Sequence, residues 1–177
     1  MLALALVVAL AAPAPFQLPD NITVTSQLRA IVLDAIRASP TFREQCARIG
    51  RMRLVRAVID IGAGEYPRGQ LFSRAHTDIR RYQYGLIIAA VHLVSIRDAA
   101  ELVAHELEHV REFAEGVDYR VQAVRTPRAV WQTGPNTFES SRAVSIGRIV
   151  AEEIAMAGPP GVRTEEAGLV QSRQFQR

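Results

Sequence analysis

The residues of this chain best suited to chemistry are His105, Glu106 and His109, set in the run His-Glu-Leu-Glu-His. On a helix, positions four apart lie one above the other on the same face. His105 and His109 would therefore aim two imidazoles at one point, close enough to share a metal ion. Glu106 follows the first imidazole and falls at the rim of that face, within reach of a water beside the ion. Two neutral nitrogens suit Zn²⁺, and a carboxylate suits removal of a proton from a water the ion has acidified. The chemistry to which this spacing points is metal-assisted hydrolysis, with Glu106 as general base.

That chemistry needs a helix with two distinct faces. Ser95-Ile96-Arg97-Asp98 and Asp98-Ala99-Ala100-Glu101 both have capping-box form, which predicts a helix starting near Asp98. It can run to about Glu115, where Gly116 is a natural stop. Ala99, Val103, Leu107, Val110 and Ala114 form an apolar stripe for packing on a sheet. Leu102, His105, Glu106, His109 and Phe113 lie on the adjoining face, which would line a cleft.

Upstream, Leu28, Ile31, Val32, Ala35 and Ile36 recur with helical period over 25–38, and Ser39-Pro40 ends that helix. A shorter helix is predicted over 41–49, with Cys46 towards its buried side. Residues 53–61 are rich in β-branched side chains and predict a strand that ends at Gly62-Ala63-Gly64. That glycine pair is no phosphate loop, because neither Lys-Ser/Thr nor a helix start follows it. Residues 65–73 read as a loop, and 77–94 as a β region that Gly85 divides into two strands or interrupts as a bulge. His92 reads as a core or strand-end residue and His76 as a polar loop residue, neither of them functional.

Composition bounds the rest. A chain of 177 residues, 49% apolar and 22% charged, with net charge +3, fits one globular domain with a real core. Its basic residues are all Arg, scattered and without interleaved aromatics, so nucleic-acid binding is not indicated. The single Cys46 excludes an intrachain disulfide and a Cys-based metal site, and reads as a small core residue rather than a nucleophile. Residues 2–10 are an uninterrupted apolar run followed by small residues and Pro13, too short to span a bilayer. The run fits a signal-peptide core cleaved after Ala11, although no Lys or Arg precedes it. The expected location is therefore exported, periplasmic or extracellular, with a membrane anchor formed by the run as the alternative. The expected organisation is a signal peptide or anchor over 1–11, a Pro-rich linker over 12–24, the domain over 25–161 and a tail over 162–177. Asn21-Ile22-Thr23 is a formal glycosylation sequon.

Two histidines do not complete a hydrolytic zinc site, which needs a third protein ligand and an open position. The metzincin pattern is excluded, since Glu115 stands where its third His would be and Glu112 where its Gly would be. Glu115 itself lies on the same helix, past the geometry that favours a facial site. Downstream, Asn136-Thr137-Phe138-Glu139 is predicted to open a second amphipathic helix running through Ala143, Ile146, Ile149, Val150 and Ile154 to Gly158-Pro159-Pro160-Gly161. Through Ala104-His105-Glu106-Leu107-Glu108-His109 and Phe138-Glu139-Ser140-Ser141-Arg142-Ala143, the chain resembles the gluzincin branch of the zincin metallopeptidases over roughly residues 86–157.

The resemblance implies His105, His109 and Glu139 as zinc ligands, Glu106 as general base and a peptide or protein substrate. It also implies a small α+β zincin-like domain: a short mixed or antiparallel sheet, the HExxH helix beneath it and a C-terminal helix carrying the third ligand. Glu139 has an alternative use as a capping residue for Asn136. The chain departs from the family at Ala143, where an Asp often orients the first His, so a backbone carbonyl or another group must hold that ring. Tyr119, Tyr66 and Arg125 are unranked candidates for the oxyanion stabiliser. Residues 117–135 read as connecting loops, with Trp131 packed against the helices. The strand near 86–92 could offer an edge to an extended peptide. Two other classes share these residues: a non-catalytic zinc-binding scaffold or sensor, and a metal-free secreted interaction domain.

Overall fold

The computed structural model describes residues 16–62 and 74–158. Its elements in chain order are β1 (Ile22–Val24), α1 (Ser26–Ala38), α2 (Pro40–Gly50), β2 (Val55–Ile61), β3 (Ala75–Arg81), β4 (Ile87–Leu93), α3 (Ala99–Ala114), α4 (Tyr119–Arg125), β5 (Val130–Gly134), β6 (Thr137–Ser140) and α5 (Ser141–Ala157). The first four strands make a mixed sheet in the order β1-β2-β4-β3. β1 and β4 run parallel to β2, and β3 runs antiparallel to β4. This is the small α+β domain with a short mixed sheet that the sequence led us to expect.

Strand alternation sorts the sheet into two faces. Val55, Ala57 and Ile59 of β2, with Ile87, Ala89, Val91 and Leu93 of β4, are buried in one core with Leu28 and Val32 of α1 and Phe42 and Ile49 of α2. Val103, Leu107 and Val110 of α3 complete that core. The intervening residues, Arg56, Val58, Ile88 and Ala90 among them, are exposed or half-buried on the other face. Between β3 and β4, Tyr84 (φ 59°) and Gly85 (φ 80°) take left-handed conformations, so Gly85 does separate two strands. Ser39 serves two helices at once. It ends α1, and its hydroxyl caps α2 by accepting from the Phe42 amide at 3.0 Å, with Pro40 at the first helical position. The same hydroxyl donates to Glu153 of α5, which also accepts from the Thr41 amide (3.1 Å) and hydroxyl (2.7 Å).

Several expectations are corrected. The segment 117–135 is not all loop: it forms α4 and β5. Glu139 does not open a helix but lies on β6, because Ser140 is the N-cap of α5, its hydroxyl accepting from the Ala143 amide at 3.0 Å. Asp98 is the N-cap of α3, where the helix was expected to start, but in its left-handed conformation its side chain makes no capping bond, and its carboxylate pairs with Arg74 at 2.6 Å. Strand β4 offers no edge to a peptide, being bonded to β2 on one side and β3 on the other. β1 falls inside the residues read as linker, and Asn21 just before it is only 7% exposed, so the sequon is not presented. The expected location is also overturned in its membrane-anchored form. No helix among the described residues is long and apolar enough to cross a membrane, and the longest, α5, has 17 residues interrupted by Arg148, Glu152 and Glu153. The apolar run 2–10, the loop 65–73 with Tyr66, and the tail 162–177 lie outside the described residues.

The Asn21 amide donates to the carbonyls of Ile49 (2.8 Å), Met52 (3.3 Å) and Val55 (3.2 Å), stitching the entry of β1 to the α2–β2 connection. Asn21→Ala removes all three of these bonds and leaves each carbonyl one other donor, the Met52 amide on Ile49, the Val55 amide on Met52 and Arg56 on Val55. Urea unfolding should show a loss of about 1–3 kcal/mol with an unchanged slope.

Candidate metal centre

Helix α3 puts His105 and His109 one turn apart, with ring centroids 5.0 Å from each other. Glu139 meets both. Its Oε2 lies 3.1 Å from His105 Nε2, and its Oε1 lies 3.1 Å from His109 Nε2. The carboxylate gets there because β5 and β6 form a hairpin in which Glu139 pairs with Trp131. It is then held by the Ser140 amide, which donates to Oε1 at 2.7 Å. Ligand atoms of His105, His109 and Glu139 all lie within 4.8 Å of one another. All three side chains are half-buried, between 11% and 23% exposed, so the cluster keeps an open side.

Glu106 is 7% exposed, and its Oε2 accepts from the Thr77 hydroxyl of β3 at 2.6 Å. Thr77 was not singled out in the sequence, and no local signal marks it; only the packing of α3 on β3 brings it to Glu106.

Glu112 is the more informative omission. Its Oε2 lies 3.2 Å from His109 Nδ1 and accepts from Tyr119 (3.0 Å) and Ser140 (2.9 Å). A carboxylate thus orients a histidine, although Ala143 has none to offer. It orients the second His, from three residues along the same helix, and that i,i+3 spacing was readable. The same Tyr119 hydroxyl lies 3.2 Å from the His109 carbonyl, the more distant of its two acceptors. Burial and the neighbouring Glu112 carboxylate hold its phenol protonated, well above its ordinary range. Its hydroxyl is therefore committed to supporting His109. Glu115 is not in the cluster; it pairs with Arg111 (3.0 Å) and Arg142 (2.7 Å). Cys46 is no nucleophile, since burial pushes its thiol up to about 12.

The electrostatics fit a cation. Burial works against charging His109, but hydrogen bonds to Glu112 and Glu139, with the charge of Glu106, outweigh it and lift its pKa to about 10. Burial likewise raises Glu139, and the two histidines more than reverse this, bringing it to about 2. Without metal, His109 and Glu139 are an ion pair, a proton holding together donors that a divalent ion would otherwise bridge. Two imidazole nitrogens and one carboxylate oxygen make this a zinc-capable site.

Comparison with family models, curated proteins and solved structures finds no match to this chain. The local geometry therefore decides. A buried His105-Glu106-x-x-His109 with salt bridges to Glu139 matches a zincin-type HExxH motif with a distal Glu ligand. The arrangement is consistent with a catalytic zinc-protease site and supports a metallohydrolase assignment.

One further residue shapes the zincin-type site. A Cβ built on Gly147 of α5 would stand 3.2 Å from the Glu101 carbonyl and 3.3 Å from His105 Cβ. Gly147→Val should push α5 away from α3, weakening zinc affinity by up to about 100-fold while helix content by circular dichroism holds (overpacking costs about 1–3 kcal/mol). Zinc uptake must also displace the His109 proton. Affinity measured against a competing chelator should tighten about tenfold per pH unit between about pH 6 and pH 8. In the metal-free chain the raised His109 stabilises the fold fully below 6.5 and loses this as pH rises through about 10. The lowered Glu139 stabilises it above 4.5 and loses this as pH falls through about 2. Thermal melts of the metal-free chain should be highest between those two ordinary values.

Proposed function

We propose that this chain is a zinc metallopeptidase in which His105, His109 and Glu139 hold the ion and Glu106 is the general base. The observation that carries the reading is the convergence of both Nε2 atoms on the two oxygens of one carboxylate, each at 3.1 Å, beside the buried Glu106. When bound, zinc supplies Lewis-acid polarisation of the scissile carbonyl and acidifies a water molecule.

The chain's own residues do the rest. Glu112 and Tyr119 fix His109 through Nδ1, leaving Nε2 for the ion. Gly147 lets α5 close against His105. Glu106 takes up the proton of the attacking water on its carboxylate and delivers it to the departing amine. The Thr77 hydroxyl holds one carboxylate oxygen and leaves the other for that transfer. The peptide would lie along residues 77–81 of β3, a strand that among the described residues has β4 as its strand partner and carries Thr77 next to Glu106. An extended substrate could add to that strand by main-chain hydrogen bonds.

Zinc content and peptidase activity against an unbiased peptide library test this directly. The wild-type chain should hold zinc at this centre and cleave. Glu139→Ala should lose or loosen that zinc. Glu106→Gln should keep it and lose activity by about 10²–10⁴-fold. A Glu106→Gln variant as active as wild type would refute the assigned base, and a wild-type centre that stays empty with zinc supplied would refute the function.

A further inference from the structure

The sheet carries a second set of ligating side chains on the face away from the centre described above. Asp60 of β2 pairs in register with His92 of β4, and His92 with His76 of β3. The three side chains therefore form a row across adjacent strands. Asp78 follows two positions after His76 on β3 and shares its face, because strand side chains alternate. Thr77, between them, points the other way, to Glu106 on α3. Of this row, the sequence had marked His92 as a core or strand-end residue and His76 as a loop residue; strand pairing is what brings them together.

The geometry is that of donors prepared for a cation. His92 Nδ1 lies 2.6 Å from Asp60 Oδ1. With its Nδ1 proton given to that carboxylate, the ring keeps its Nε2 lone pair for a ligand, as in carboxylate–histidine–metal arrangements. The His76 and His92 ring centroids are 5.0 Å apart, and His76 Nε2 is 4.0 Å from Asp78 Oδ2. Ligand atoms of His76, Asp78 and His92 lie within 4.8 Å of one another. Metal–ligand bonds of about 2.0–2.2 Å bring donors to about 3.4 Å apart. The Asp78 side chain, 64% exposed, can swing in to close that gap, while His76 (12%) and His92 (22%) form the sheltered floor.

We propose that His76, His92 and Asp78 form a second metal site, distinct from the His105–His109–Glu139 centre. Asp60 orients His92 within it. Two imidazoles and a carboxylate select a first-row divalent ion of the zinc, nickel or copper class over magnesium or calcium. Bound there, the ion ties β3 to β4 and so steadies the strand whose Thr77 holds Glu106. The site stands whether or not the first centre binds metal.

The test uses the untagged full-length chain, stripped with chelator and loaded with Zn²⁺, its metal content read by elemental analysis after gel filtration. Wild type should retain two equivalents and His92→Gln one. His105→Ala/His109→Ala should also retain one, and adding His92→Gln to it should leave none. Asp60→Asn should keep the site but weaken it about 10- to 100-fold. Circular dichroism checks that each variant folds. Asp78→Asn, at an exposed position, is the companion variant and should lose the same equivalent if His92→Gln unfolds. If only this second site binds, wild type retains one equivalent, kept in His105→Ala/His109→Ala and lost in His92→Gln. Zinc retention unchanged by either His92→Gln or Asp78→Asn overturns the proposal.

Discussion

Helix α3 buries more charge than a small domain can leave unpaired. Glu106, Glu108 and Glu112 are all less than a tenth exposed, Glu108 not at all, and the His109 side chain is only 11% exposed. An unpaired buried charge costs several kcal/mol, so each has to be met by a group from another element or a neighbouring turn. Glu108 is met by Gln45 of α2 at 2.9 Å, by Arg111 at 3.1 Å and by Arg142 of α5. Glu106 is met by Thr77 of β3, and Glu112 by Tyr119 of α4 and Ser140 before α5. The requirement that α3 imposes on its surroundings thus locates α2, α4, α5 and β3 around it. The candidate metal centre sits where those partners converge.

The two buried glutamates on either side of His109 have opposite uses. Glu108 points into an arginine cage and holds α3 against α2 and α5. Glu112 accepts three contacts on one oxygen and passes its charge on to His109 Nδ1. A carboxylate behind an imidazole raises its basicity and fixes its orientation, both of which favour a cation at Nε2. One helix therefore carries its scaffold charges and its site charges at neighbouring positions, separated only by the faces they occupy.

The proposed third ligand comes from a strand, and this is a matter of reach. A hairpin delivers Glu139 backbone-first, with the Ser140 amide on its carboxylate, and then turns into α5 at the Ser140 cap. Ser140 thus caps a helix through its hydroxyl, supports Glu112 through the same oxygen, and fixes Glu139 through its amide. Close contact of α5 with α3 at Gly147 completes the closure, and a side chain there would hold the ring of His105 off its position.

The sequence by itself determined the helix that carries the chemistry. His105 and His109 at helical spacing, the apolar stripe beside them and Gly116 at the end are all local signals, set by the period of the helix. The β-branched and apolar runs behind β2 and β4 likewise identified strands, and Ser39-Pro40 marked the end of a helix. Tertiary structure decided the rest, because it depends on residues far apart in the chain. Phe138-Glu139 read as a helix start from the apolar periodicity that follows it, yet pairing with Trp131 makes it a strand, since a ladder's partner cannot be seen from one strand alone. Strand order turned β4 into an interior strand and, among the described residues, placed β3 last in the sheet. Thr77, Glu112 and Gly147 acquired their roles at the metal centre only when α3 was packed against β3, α4 and α5. Spacing along one helix fixes which groups share a face; only packing decides what that face meets.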